Sequence, residues 1–128
     1  MSAMSDFLEL EVLDHVLGTG AYTMPTTVRI GLSTGSFNDD NSGTELSGSG
    51  YARQAITFAA ASSGSAATNA TVTFPTATGS WGAVSHWGIF DAASSGNLLI
   101  HGAFATPKTI TSGDVLRINS GDLTATAA

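Results

Sequence analysis

The spacing of apolar residues changes once along the chain, from a helical period to a strand period. Residues 5–17 carry two apolar rows, one of Leu8, Val12 and Val16 and the other of Leu10, Leu13 and Leu17. Residues spaced three and four apart share one face of a helix, so this segment is predicted to be an amphipathic helix. From residue 26 onward, apolar and polar residues alternate, as is typical of half-buried β-strands.

The sequence also predicts how the helix begins and ends. Asp6 is expected to cap the first turn, and Glu9, three residues later, completes a capping box. Gly18 and Gly20 are expected to end the helix. A helix placed before a β domain has two possible roles, since it either plugs one end of its own sandwich or docks on a partner subunit.

Seven or eight short segments with strand character follow the helix. They cover residues 26–32, 51–58, 68–74, 84–90, 98–104, 108–111, 115–119 and 123–126. Short strands with turns between them favour a sandwich or barrel, and a lack of β-α-β alternation argues against a parallel sheet. The chain is therefore predicted to be one domain over residues 1–128, mainly β, an antiparallel β-sandwich of jelly-roll type with one N-terminal helix.

The predicted centre of the fold is a hairpin of strands 84–90 and 98–104, joined by the polar segment 91–97. Both tryptophans lie in or next to it, and aromatic side chains bury the most surface per residue. The predicted core consists of apolar side chains from this hairpin and the other strands: Val28, Ile30, Leu32, Ile56, Phe58, Val72, Phe74, Trp81, Trp87, Ile89, Phe90, Leu99, Ile100 and Phe104.

A long polar loop, residues 33–50, precedes the second strand. Loops of this length in compact domains are usually functional or disordered. Phe37 and Leu46 are isolated apolar residues in the loop, and Tyr51 follows it directly. These three residues are the predicted candidates for contact with a partner.

Charge and cysteine content narrow the classes of function. Charged residues make up 11% of the chain, against about 25% in ordinary soluble domains, which suits close contact with copies of itself or with a protein lattice. The net charge of −6 argues against nucleic-acid binding and against anionic membrane surfaces. The absence of cysteine excludes disulfides and thiolate metal sites. No apolar run is long enough to span a membrane, and the first residues do not resemble a signal peptide.

Three patterns have the residue types of a reactive site, and each lacks a necessary part. The segment from Gly31 to Gly35 places Ser33 in a Gly-x-Ser-x-Gly pattern, but no helix is predicted after it. His86 and His101 lie on the two hairpin strands and could bind a metal with Asp91 or Asp114.

The third pattern is an acidic cluster in the long loop: Asp39, Asp40, Asn41 and Glu45. Its oxygen atoms suit calcium, although the spacing is not that of an EF-hand. A solvated loop and hydrogen-bonded histidines explain these residues more simply. The sequence therefore predicts no catalytic residue, no cofactor and no metal.

Several short segments of the sequence resemble those of a known protein family. TFPTAT begins at residue 73 and is followed by WG, by a strand ending His-x-Gly-Ile-Phe-Asp-Ala, and by Gly-Asn-Leu-Leu. With the flanking segments 51–58 and 106–114, this pattern resembles a family of small tailed-bacteriophage virion proteins labelled tail fibre or minor structural proteins. The resemblance implies a virion protein of a tailed phage. Because no reactive site is predicted, the protein is expected to be non-enzymatic, and because the first residues do not resemble a signal peptide, it is expected to be made in the cytoplasm of the bacterial host.

The position within the particle is a separate question. The chain shows no coiled coil or fibrous repeat, so the favoured hypothesis is a capsid decoration or cement protein. Its expected partners are the major capsid protein or other virion proteins, and copies of itself. One alternative is a tail, tail-fibre or tail-tip component. Another is a small carbohydrate-binding domain in which Trp81 and Trp87 form a stacking platform.

Overall fold

The computed structural model describes residues 2–126 as a mainly β chain with one short helix. The helix α1 is Asp6–Val16. The strands of the described part are β1 (Ser2–Met4), β2 (Val28–Ser33), β3 (Gln54–Ile56), β4 (Ser65–Ala67), β5 (Val72–Thr73), β6 (Gly82–Phe90), β7 (Leu98–Ile110), β8 (Arg117–Ile118) and β9 (Thr124–Thr126).

One five-stranded antiparallel sheet dominates this fold, with the strand order β1-β7-β6-β2-β3. Two antiparallel ladders, β4 with β9 and β5 with β8, accompany it. The predictions of a mainly β antiparallel fold and of a single N-terminal helix are confirmed. A jelly roll has eight strands in two sheets, and the arrangement of residues 2–126 does not confirm that topology.

The predicted hairpin is formed by β6 and β7, but β7 is longer than expected. The segments 98–104 and 108–111 were predicted as separate strands, and the structure joins them into Leu98–Ile110. Val84 pairs with Lys108 whereas His86 pairs with Ala103, so residues 104–107 bulge out opposite a single residue of β6. A bulge lets one strand absorb extra residues and then continue its pairing. This explains why the bulged segment, which contains Pro107, was predicted as a break between two strands.

The start of the chain contains a strand that the sequence pattern does not reveal. β1 pairs with the edge of β7, with Ser2 opposite Gly102. Ser5 then caps α1, since it has extended backbone angles and its hydroxyl oxygen accepts the backbone N–H of Leu8 at 3.2 Å. The prediction that Asp6 is the cap was therefore wrong by one residue. The pairing of β1 with β7 fixes where the helix begins. It continues to Ser5, whose backbone N–H donates to the carbonyl oxygen of Leu99 at 2.8 Å.

The main core lies against one face of the large sheet and includes Val72 of β5 and Ile118 of β8. Most of the residues predicted for the core are buried: Ile30, Leu32, Ile56, Val72, Phe74, Trp81, Trp87, Ile89, Phe90 and Leu99. The others are partly buried and pack against the main core: Val28, Phe58, Ile100 and Phe104.

A second apolar cluster lies on the other face of the sheet. It consists of Phe37, Phe90 and Leu98. Phe90 and Ile89 are neighbours on β6, so their side chains point to opposite faces. The prediction treated the apolar residues as one core, whereas the structure divides them between the two faces.

Candidate interaction surfaces

The helix α1 leaves most of its apolar residues exposed. In the first row, Leu8 is buried at 8% exposure, whereas Val16 is 72% exposed. The second row, here called the outer row, consists of Leu10, Leu13 and Leu17, which are 64%, 55% and 71% exposed. These residues occupy positions i, i+3 and i+7 and so lie along one side of the helix. The outer row is an apolar stripe that no part of residues 2–126 covers.

A shallow groove runs beside the outer row, where α1 passes β1. Its lining includes Met4, Leu10, Val12 and Leu13, together with the acidic residue Glu9. Asp14 lies four residues after Leu10, so carboxylates border this side of the helix. Four of the ten acidic residues of the chain, Asp6, Glu9, Glu11 and Asp14, lie on α1. The surface therefore combines exposed leucines with negative charge.

A cleft of about 390 Å³ opens on another part of the molecule, between β7 and the segment that contains β8 and β9. We call it the C-terminal cleft. Its apolar lining includes Val84, Trp87, Phe104, Leu116, Ile118 and Leu123. Lys108, Arg117 and Asp122 contribute its charged side chains. Two of the four Lys and Arg residues of this acidic protein thus line one cleft.

The long loop folds back against β2 and is not free to present its apolar residues. Phe37 is 1% exposed and meets the edge of the Phe90 ring, with 5.5 Å between ring centroids. Leu46 is partly buried against the main core, and its backbone N–H donates to the carbonyl oxygen of Leu32 at 2.9 Å. The prediction of Phe37 as a partner contact was therefore wrong, because the sheet face beneath it is open enough to bury a phenyl ring.

Two glycines make that burial possible. Gly31 and Gly88 are directly opposite each other on β2 and β6. A Cβ atom at Gly88 would lie 2.9 Å from Leu98 Cδ1 and 3.2 Å from Phe37 Cδ2. One at Gly31 would lie 2.7 Å from Glu45 Oε2. Because both positions lack side chains, the loop can pack closely against the sheet.

Tyr51 also points inward and forms part of a hydrogen-bonded cluster. Its hydroxyl donates to the Glu45 carboxylate and accepts the backbone N–H of Leu32 at 2.9 Å. Burial raises the pKa of Tyr51, and the hydrogen bond to Glu45 raises it further. Its ring stacks on Phe74 and meets the edge of Trp81. The Tyr51 side chain is thus engaged inside the chain, and its role as a partner contact stays a prediction.

The candidate reactive residues are each engaged in ordinary structural contacts. Ser33 is buried, its hydroxyl donates to the carbonyl oxygen of Thr44 at 2.6 Å, and no helix follows it as far as residue 126. The two hairpin histidines are not opposite each other, since His86 pairs with Ala103 and His101 pairs with Gly88.

The histidines have different partners. Nδ1 of His86 lies 2.7 Å from the Ser85 hydroxyl, and Nε2 of His101 lies 2.7 Å from Asp39 Oδ1. Asp39 also accepts the backbone N–H of Asp6 through its carbonyl oxygen, at 2.9 Å. The acidic loop therefore fastens the start of α1 to β7. Among residues 2–126, no group of three His, Asp or Glu side chains could hold a metal ion.

The predicted carbohydrate platform is also absent from the described surface. Trp81 and Trp87 are 5% and 4% exposed, and Nε1 of Trp81 donates to the carbonyl oxygen of Ser49 at 2.9 Å. A stacking platform needs an exposed ring face, so these two side chains do not form one. No helix within residues 2–126 has the length and apolar character to cross a membrane.

The fold and its surfaces define a class: a mainly β protein whose accessible features are an apolar helix face and a charged cleft. The chain belongs to the family described as Podophage GP4 fiber I protein gp80, whose sequence model matches residues 3–126. The resemblance to tailed-phage virion proteins is thereby confirmed, and the protein is a component of the virion. Its neighbours are other virion components. No curated protein matches the chain significantly.

Proposed function

We propose that this chain is a non-enzymatic building block of the tail-fibre apparatus of a phage, held in the particle by contacts with other virion proteins. The observation that carries the proposal is the family match over residues 3–126, because the family description names a fibre protein. The family match favours a position in the tail. The first hypothesis from the sequence was a position on the capsid exterior.

The exposed surfaces support a role in assembly. A monomeric soluble protein seldom leaves a row of leucines exposed on a helix, and such patches mark contacts with other proteins. The outer row of α1 is one such patch. The non-enzymatic part of the proposal is supported by the engagement of Ser33, His86 and His101 in structural hydrogen bonds.

Labelling of purified phage particles tests this function. Gold-labelled antibodies raised against the purified protein should bind at the tail, and quantitative mass spectrometry should give a small number of copies per particle. Antibody preincubated with the purified protein serves as the control. Gold spread over the capsid, together with hundreds of copies per particle, would contradict the tail position and restore the capsid hypothesis.

A further inference from the structure

The two accessible surfaces of this chain have complementary chemistry. The outer row of α1 offers leucines bordered by Glu9 and Asp14, and the C-terminal cleft offers an apolar floor with Lys108 and Arg117. The overall charge of −6 makes the pair of cations in one cleft unusual for this chain. Opposite charges around apolar centres are the arrangement found where two protein surfaces bind each other.

The helix of the same chain does not reach the cleft. Backbone hydrogen bonds from Ser5 to Leu99 and from Asp6 to Asp39 hold the beginning of α1, and Leu8 is buried beneath it. The linings of the helix groove and of the cleft share no residue. Within residues 2–126, Lys108 and Arg117 form no ion pair. Both cations are exposed and so are available to an acidic partner.

We propose that the outer row of one copy binds in the C-terminal cleft of a second copy. This inference deepens the proposed function, because it names the partner as another copy of this chain. Leu10, Leu13 and Leu17 contact the partly buried Phe104 and the aliphatic stems of Lys108 and Arg117 at the cleft. An amphipathic helix packed against an apolar groove is a common mode of recognition.

Charge sets the orientation of this contact. Glu9 and Asp14 on the helix meet Lys108 and Arg117 at the cleft. Asp122 also lines the cleft and repels the acidic residues of the helix. With two cations and one carboxylate, the cleft keeps a net charge of +1. A helix with the same leucines and no acidic border would bind less tightly. Helices with basic borders are excluded by repulsion from Lys108 and Arg117.

The contact joins two different surfaces, so an open assembly has one free helix at one end and one free cleft at the other. Such a head-to-tail interface generates a ring if the rotation closes and a filament if it does not. Either assembly suits a building block of a fibre. It also differs from a two-fold dimer, in which the same surface of both copies would meet, and this difference can be tested.

Sedimentation velocity of the purified chain over a range of concentrations provides the test. A helix variant, Leu10→Gln with Leu13→Gln, replaces two exposed leucines by polar residues that retain helix propensity. A cleft variant, Lys108→Glu with Arg117→Glu, reverses the charge at the cleft. Met24→Gln changes an exposed apolar residue outside both surfaces and is the matched control. Circular dichroism confirms that each variant is folded.

The wild type and the control should form species larger than a monomer as the concentration rises. Each variant alone should associate at least about tenfold more weakly than the wild type, because one of its two binding surfaces is lost. An equimolar mixture of the two variants should form a one-to-one dimer and nothing larger, since the intact cleft of one accepts the intact helix of the other. A symmetric contact between like surfaces cannot produce this result.

A wild type that stays monomeric, or variants that assemble like the wild type, would overturn the inference. So would a mixture in which the two variants fail to pair. If a monomeric wild type still labels the tail while both variants are missing from particles, another virion protein occupies these surfaces. The proposed tail function would then stand without the contact between copies.

Discussion

The guanidinium carbon of Arg53 lies 3.6 Å from the centroid of the Phe90 ring. The same guanidinium donates to both carboxylate oxygens of Glu45, with Nη2 2.8 Å from Oε1 and Nε 2.9 Å from Oε2. Its Nη1 donates to the carbonyl oxygens of Ala92 and Ser95 in the loop between β6 and β7. One side chain thus ties the long loop, the second apolar cluster and the hairpin loop together.

Replacement of Arg53 by Met should lower the free energy of unfolding by about 3 kcal/mol, because Glu45 would lose its partner in a largely buried position. Urea unfolding followed by circular dichroism measures the change. The double variant Arg53→Met with Glu45→Gln should recover part of the loss, since it leaves no unpaired carboxylate. A double variant as unstable as the sum of the single ones would show that the ion pair is not the main contribution.

Stability should decrease at alkaline pH because of Tyr51. Burial, with the hydrogen bond to Glu45, raises the pKa of Tyr51 in the folded chain above its ordinary value of 10.0. Below pH 10 the phenol is protonated in both states and the stabilisation is complete. Above pH 10 the unfolded chain loses the proton while the folded chain keeps it, so the free energy of unfolding falls by about 1.4 kcal/mol per pH unit.

Urea titrations at several alkaline pH values, with ultraviolet absorbance of the phenolate, check this prediction. Burial also raises the pKa of Tyr22, with smaller effects of Asp91 and Glu11, so Tyr22 contributes in the same direction. Tyr51→Phe should therefore show a shallower decrease than the wild type. Equal slopes in the two proteins would contradict the role assigned to Tyr51.

Leu8 and Leu13, one from each apolar row of α1, should respond differently to substitution by alanine. Leu8→Ala should cost about 2–3 kcal/mol of unfolding free energy, because Leu8 is buried against the sheet. Leu13→Ala should change it by less than about 0.5 kcal/mol at concentrations where the chain is monomeric, because Leu13 is exposed. Thermal unfolding of dilute samples measures both. Equal losses would mean that the outer row is covered within the single chain.

Tryptophan fluorescence should report two buried rings. Trp81 and Trp87 lie in the main core, so the emission of the native protein should be blue-shifted relative to the unfolded chain. Added mono- and oligosaccharides should leave it unchanged. Trp87→Phe separates the contributions of the two rings. Quenching by a sugar, lost in that variant, would favour the carbohydrate-binding alternative.

Local patterns predicted the elements that depend on neighbours in sequence. The apolar rows predicted the helix, the alternation after residue 26 predicted strands, and the polar segment 91–97 predicted the hairpin loop between β6 and β7. The strand β1 escaped prediction because Ser2–Met4 is too short to show a period, and pairing with β7 alone makes it a strand.

The amino-acid sequence by itself determined the mainly β class, the helix and the family, because periodicity and sequence words are local properties of the chain. Tertiary structure alone decided which leucines of α1 are buried and where Phe37 lies. Both depend on contacts between distant segments: Ser5 with β7, Asp39 with His101, and the long loop with the space above Gly31 and Gly88. An apolar residue in the sequence shows a tendency to be buried, and only the packed chain shows whether a neighbouring surface is there to bury it.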